Sequence, residues 1–177
     1  MALTVREMTA SETGIVIDYF QQATPEFMET LGVDPTRFPP ANLWRERMQN
    51  QIELPIERRA AVLMLWLSDE RPVGFSTADK IIFGEQANMH LHVIDAGHRN
   101  SGIGAACVRL TVDLYFARLK LQRLFCEPYA FNVAPNRTLQ KAGFKYLKTH
   151  MTVPGPLNFH QAVNRWVIER SSLIGSD

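Results

Sequence analysis

The chain has 177 residues, 46% of them hydrophobic and 21% charged, with a formal net charge of +1. That length and balance suit one domain with a full hydrophobic core and argue against disorder. Taken alone, near-neutrality argues against a binder of polyanions. The longest apolar run, residues 60–67, is too short to cross a bilayer. Residues 1–12 lack a basic region followed by an apolar core, so no signal peptide is expected. Cys107 and Cys126 do not make a disulfide framework and read as core residues of a reduced, cytoplasmic protein.

In chain order, residues 3–8 read as a short strand, and Thr9 and Glu12 stand in capping-box spacing. A helix follows with Val16, Tyr19, Phe20 and Ala23 on one face. Residues 32–40 contain Pro35, Pro39 and Pro40 and read as a loop, and a polar helix is predicted from Asn42 to about Gln51. Residues 62–67 form a continuous apolar run, as in a strand covered on both faces. Residues 69–72 make a turn, 73–82 the returning strand, and 88–94 a third strand. Residues 102–119 form the strongest helix, with Ile103, Cys107, Leu110, Leu114 and Ala117 expected to share its buried face. A strand at 124–126 precedes a helix with Pro135 in its first turn and Gly143 just past its end. Residues 144–153 and 163–170 read as two final strands. The pattern is one α/β (α+β) domain over residues 1–171, followed by a short tail at 172–177.

The chemistry concentrates in residues 98–105, His-Arg-Asn-Ser-Gly-Ile-Gly-Ala, between a strand and the longest helix. A helix N-terminus offers unpaired N–H groups and a positive dipole end. Gly102 and Gly104 let an anion approach the backbone, and Arg99 adds charge at the rim. A dinucleotide fingerprint needs a third glycine where Cys107 stands, and a P-loop needs a Gly-Lys-Ser/Thr that is absent. A plain glycine turn before a helix is the remaining alternative.

The motif Arg99-x-x-Gly102-x-Gly104 resembles the acetyl-CoA loop of the GCN5-related N-acetyltransferases. Glu127 to Asn132, followed by Pro135 to Phe144, resembles the matching strand and helix of the ribosomal-protein N-terminal acetyltransferase branch. The resemblance implies a mixed, mostly antiparallel sheet of seven strands with about four helices, splayed between its fourth and fifth strands. It implies that backbone groups of His92, Val93 and Ile94 hold the pantetheine arm, with a backbone N–H near Val93 or Ile94 for the oxyanion. It also implies that Arg99, Asn100, Ser101, Gly102, Ile103, Gly104 and Ala105 cradle the pyrophosphate, and that Asn132 binds the arm. Asn136 and Arg137 are expected at the mouth of the groove. Asn100 stands where many members carry glycine.

The implied reaction is direct acetyl transfer from acetyl-CoA to an amine, the acceptor being a protein N-terminus or a small molecule. A non-catalytic acyl-CoA sensor is the rival reading. Glu127 matches a catalytic glutamate of related enzymes, with a structural carboxylate paired to an arginine as its alternative. His90 is the second candidate base, since an imidazole titrates near neutrality. His90 and His92 alternate onto one strand face, but no third ligand follows, so no metal is expected. The family's acid tyrosine corresponds to Leu139, leaving Tyr129 or water to protonate the thiolate. Tyr19, Phe20, Phe27, Trp44, Phe159 and His160 are candidates for the acceptor side, or for core. No nucleic acid or membrane partner is expected, and a homodimer fits the family.

The net charge conceals an asymmetry. Residues 1–95 carry 8 basic and 14 acidic side chains, net −6, while residues 96–177 carry 11 and 4, net +7. The basic half holds the proposed cradle, and the acidic half is expected to face a cationic amine.

Overall fold

The structure is a computed structural model that describes residues 2–94, 97 and 102–174. Seven strands form one open sheet: β1 (Leu3–Glu7), β2 (Val62–Ser68), β3 (Arg71–Ile82), β4 (Gln86–Val93), β5 (Arg123–Cys126), β6 (Lys145–Thr152) and β7 (Gln161–Glu169). Their order is β1-β2-β3-β4-β5-β7-β6, and all neighbours are antiparallel except β4 and β5. The helices are α1 (Gly14–Gln21), α2 (Pro25–Thr30), α3 (Ala41–Glu53), α4 (Ile103–Leu119), α5 (Val133–Lys141) and the short α6 (Arg170–Ile174).

The sheet separates two cores. Val62, Met64 and Trp66 of β2 pack with α4 and α5, while Leu63, Leu65 and Leu67 pack with α1, α2 and α3. Every residue of β2 is buried, which explains its unbroken apolar run. The turn from β2 to β3 is shorter than expected. Asp69 and Glu70 both adopt positive φ, 47° and 66°, and β3 begins at Arg71. Two left-handed residues match the twist that a tight hairpin requires.

Two expectations need correction. The chain between the first helix and the proline loop forms α2, absent from the sequence reading. Thr24 caps it by accepting the Phe27 N–H (3.2 Å), and Pro25 stands in its first turn. Six residues are too few to show a period. The buried stripe of α4 is also turned from the expected one. It comprises Ile103 and Cys107 as expected, with Ala105, Val108, Thr111, Val112, Tyr115, Phe116 and Leu119, whereas Leu110 and Ala117 are exposed. Thr111 disguised this face. Its hydroxyl donates to Cys107 O (2.8 Å) and accepts from Trp66 Nε1 (2.8 Å), so a polar residue sits in the core with its bonds complete. Both cysteines are buried, and burial pushes the Cys107 thiol up to about 11.

Gly74 of β3 lies against Trp66. A Cβ there would come within 2.5 Å of the Trp66 ring and 2.6 Å of His92 O. We therefore expect Gly74→Ala to lower unfolding free energy by about 1–3 kcal/mol, read by chemical denaturation, because β3 must move away from β4. Unchanged stability would show that this packing is looser than described.

Candidate active site

The sheet opens where β4 and β5 part. Their parallel pairing runs from Gln86↔Arg123 to Met89↔Cys126 and stops there. Beyond Cys126 the chain follows β7 instead: Asn164 N–H donates to Pro128 O (3.1 Å), and Ala130 N–H to Ala162 O (2.9 Å). From His90 onward β4 keeps only its β3 partner.

The parity of this free edge can be read from two bonds. Ile94 N–H donates to Val73 O (2.9 Å), and His90 O accepts from Ser76 Oγ (2.7 Å). Backbone groups alternate sides along an antiparallel strand. His90, His92 and Ile94 therefore address β3, and Leu91 and Val93 address the gap. This corrects the expectation that His92 and Ile94 present backbone groups to a ligand. The backbone groups of Val93 and of Leu91, the latter unnoticed in the sequence, face the gap instead.

A cavity of about 560 Å³ lies along this edge, lined by Leu91, His92, Val93, Gly102, Gly104 and Ala105, and across the gap by Asn132, Pro135, Arg137, Thr138 and Lys141. Gly102 has φ +86° at the start of α4, a left-handed value that favours glycine. A Cβ on Gly104 would only touch Thr138 and Val93 at ordinary distance, so its flexibility rather than space is at issue. Ile103, Gly104 and Ala105 form the first turn of α4, where N–H groups lack helical partners. Among the described residues the lining holds two cations, Arg137 and Lys141, and no carboxylate. Arg99, Asn100 and Ser101 lie outside the described residues.

Asn136 turns into the fold rather than into this groove. Its Nδ2 donates to Asn132 O (2.7 Å) and Tyr129 O (3.2 Å), and its Oδ1 accepts from Asn164 Nδ2 (3.0 Å) and Trp166 Nε1 (2.9 Å). It pins the start of α5 to β7 and has no amide atom left for a ligand. The helix closes as expected. Gly143 has φ +96°, and the bonds Gly143 N–H to Gln140 O and Phe144 N–H to Leu139 O make a Schellman end. Leu139 is fully buried.

A second cavity, about 420 Å³, lies on the α1–α3 face and shares Leu31, Leu91, His92, Asn132 and Pro135 with the first. Phe20, Trp44 and Phe75 are in its wall, as are His90 and Glu127. Tyr19 and Phe27 line the first cavity instead, and Phe159 packs edge-on against Tyr129.

The two candidate bases have different surroundings. Glu127 is nearly buried, with Oε1 2.9 Å from Arg165 Nη1 and 3.4 Å from His150 Nε2, and Oε2 3.4 Å from Asn88 Nδ2. This carboxylate joins β4, β5 and β7 at the point where the sheet opens. His90 Nε2 lies 3.0 Å from Asp79 Oδ2 on β3. Asp79 also lines the cavity, and no local pattern in the sequence points to it. With Nε2 engaged by the carboxylate, Nδ1 is the imidazole nitrogen left for a substrate.

His92 goes to a different partner set. Its ring stacks on Phe75 (4.9 Å) and meets Phe20 and Tyr19 at 5.1 Å, with Nδ1 buried and unpartnered among the described residues. Desolvation holds its pKa down at about 3, so the ring is neutral and a poor base. The unfolded chain binds the proton first, so stability falls as pH drops below about 6.5 toward 3. His92→Phe should flatten that acid loss, measured as urea midpoints between pH 7 and 4. A parallel loss in both proteins would refute the assignment.

A sheet that opens between parallel neighbours, with a helix N-terminus and a cationic rim across the gap, is the architecture of an acyl-CoA-using transferase. The acetyltransferase (GNAT) domain profile matches residues 2–145. The chain belongs to that family, whose members are acetyl-transferring enzymes. It is 36% identical over 78 residues to the probable N-acetyltransferase YjcK of Bacillus subtilis (strain 168), a match covering 44% of this chain and 43% of that protein. The chain thus aligns with less than half the length of that relative. Spermidine N-acetyltransferase from Vibrio cholerae, in complex with CoA and spermine, superposes with TM-score 0.77 at 14% identity over 98% of each chain. RimL, the ribosomal L7/L12 alpha-N-protein acetyltransferase in complex with coenzyme A, gives 0.75 at 17% identity over 96% of this chain and 94% of its own. At such identity these structures speak for the fold. No helix among the described residues is long and apolar enough to cross a membrane.

Proposed function

We propose that the protein transfers the acetyl group of acetyl-CoA to a primary amine. The observation that carries this reading is the first cavity: a free strand edge, a helix N-terminus and, among the described residues, two cations without a carboxylate, with His92 and Asn132 shared with the wall of a second cavity. Backbone groups of Leu91 and Val93, with Asn132, suit the pantetheine arm. The start of α4 suits the pyrophosphate, with Arg99, Asn100 and Ser101 completing the loop in sequence. Arg137 and Lys141 suit the remaining phosphate.

Acetyl-CoA supplies a thioester: the amine nitrogen forms a bond to the acetyl carbon, the carbon–sulfur bond breaks, and CoA leaves as thiolate. The chain's residues must manage charge and protons. Val93 N–H faces the gap and suits the developing oxyanion. His90 takes the amine proton at Nδ1, held in one tautomer by Asp79. We assign Glu127 to holding the sheet open rather than to proton transfer, because both its oxygens are engaged. Leu139 cannot donate a proton, which leaves Tyr129, a phenol in the wall of the second cavity, or water.

Calorimetric titration with acetyl-CoA tests the cradle. Arg137→Ala and Lys141→Ala should each weaken binding by about 3–10-fold, since exposed charge-assisted contacts are modest. Unchanged affinity in the double variant would overturn the groove assignment. Release of free thiol on adding an amine tests transfer. Tight binding without release would favour a sensor.

A further inference from the structure

The acidic N-terminal half is expected to face a cationic amine, and the second cavity bears on how many positive charges that amine carries. Its charged lining comprises Arg37, Arg47, Asp79, His90 and Glu127. Glu127 is held by Arg165 and His150, and Asp79 Oδ2 by His90. Asp79 Oδ1 is buried and has no partner among the described residues. Among the described residues Asp79 is thus the one carboxylate of the lining not held by an arginine, and it stands part-buried beside the candidate base. One ammonium group can be satisfied there. A second or third would find no further unpaired carboxylate among the described residues of the lining, which also holds two guanidinium groups.

Much of the remaining lining is apolar, with Gln51, Thr77, Tyr129, Asn132, Asn158 and Gln161 as neutral polar members. Phe20, Trp44, Phe75, Met48, Leu63 and Met89 line the same cavity as Asp79 and the two arginines. Two wall segments, residues 31–33 and 154–158, are also stitched together. Val33 bridges Asn158, Asp34 N–H donates to Leu157 O (2.8 Å), and Gly32 O accepts from Asn158 Nδ2 (2.9 Å) and Gln161 Nε2 (2.7 Å). Gly32 has φ +69°, and a Cβ on it would lie 2.1 Å from Gln161 Oε1, so the stitch depends on glycine. A closed wall and a volume of about 420 Å³ suit a small molecule better than an extended chain. Arg47 is exposed and has no ion pair among the described residues, while Arg37 has only a loose contact with Asp34 (3.6 Å).

We propose that the acceptor is a compact amine with an apolar or aromatic body and a carboxylate, in the manner of an aromatic amino acid. Its ammonium group meets Asp79 and His90, its body packs on Phe20, Trp44 and Phe75, and its carboxylate meets Arg37 and Arg47. The inference rests on the acetyl-transfer reading, and the experiment separates the two.

Thiol release from acetyl-CoA is measured with phenylalanine, phenethylamine, spermidine, kanamycin and a peptide beginning with phenylalanine. Phenylalanine should show kcat/KM about tenfold or more above phenethylamine, a factor of one good contact, with spermidine and kanamycin near background. Arg47→Ala combined with Arg37→Ala should raise KM for phenylalanine and collapse its advantage over phenethylamine. Preference for spermidine, kanamycin or the peptide, or equal use of phenethylamine, overturns the acceptor inference and leaves acetyl transfer standing. Should no amine release thiol, phenylalanine is titrated into the CoA-saturated protein. Binding weakened by the arginine variants keeps the acceptor inference and removes the transfer reading, whereas no binding overturns the acceptor inference.

Discussion

A Val93→Pro variant should keep its fold and lose acetyl transfer by about 10²-fold or more, the scale of removing one oxyanion donor. The expectation follows from strand parity. Ile94 N–H bonds to Val73 O, so the Val93 N–H points away from β3, into the gap left by β5. Proline removes a donor, and a strand tolerates it where that donor faces outward. The β3 ladder therefore survives. Ile94→Pro is the control, because it deletes the bond to Val73 and should lower stability. Circular dichroism and denaturant midpoints read the fold, and thiol release with any accepted amine reads transfer. Near-normal turnover by a folded Val93→Pro protein would mean that the oxyanion is held elsewhere. Loss of transfer only in Ile94→Pro would mean that the parity is reversed.

Much of the fold was legible because its signals are local. The apolar run at 62–67, the loop glycines before α4 and the Gly143 stop each follow from a few neighbouring residues. The resemblance of two short motifs then ordered the elements. What stayed hidden depends on register and tertiary contact. Asp79 is eleven residues from His90 in sequence, and only the β3–β4 register, Thr77↔His90 and Asp79↔Asn88, makes them diagonal neighbours. The same register sets which β4 N–H groups face the gap, and a shift of one residue would exchange them. Asn136 looked like a ligand because it follows Asn132 at the mouth of a helix. Its partners on β7 lie 28 and 30 residues away, beyond any local pattern. Net charge misled in a similar way. The acidic half supplies the inner cavity with Arg37 and Arg47, and its one carboxylate there, Asp79, is shared with His90.

The pairing of His90 with Asp79 leads to the second large effect. His90→Ala should lower kcat by about 10²–10⁴-fold, the usual range for a positioned base. The sign with pH follows from the role. A base must be unprotonated to accept the amine proton, so kcat/KM of the native protein falls toward acid pH, and this acid limb should vanish with the imidazole. Asp79→Asn keeps the imidazole but removes the charge that fixes its Nε2–H toward β3, so Nδ1 is no longer reserved for substrate. Its turnover should fall by more than tenfold, with the acid limb retained. Asp79→Glu, which retains a carboxylate, should recover part of the rate. Glu127→Gln supplies the contrast. Its partners Arg165 and His150 would lose their countercharge where the sheet opens, so lower stability is expected, with the acid limb intact. A native-like profile in His90→Ala, together with a lost acid limb in Glu127→Gln, would transfer the base to Glu127 and make Arg165 the residue that positions it.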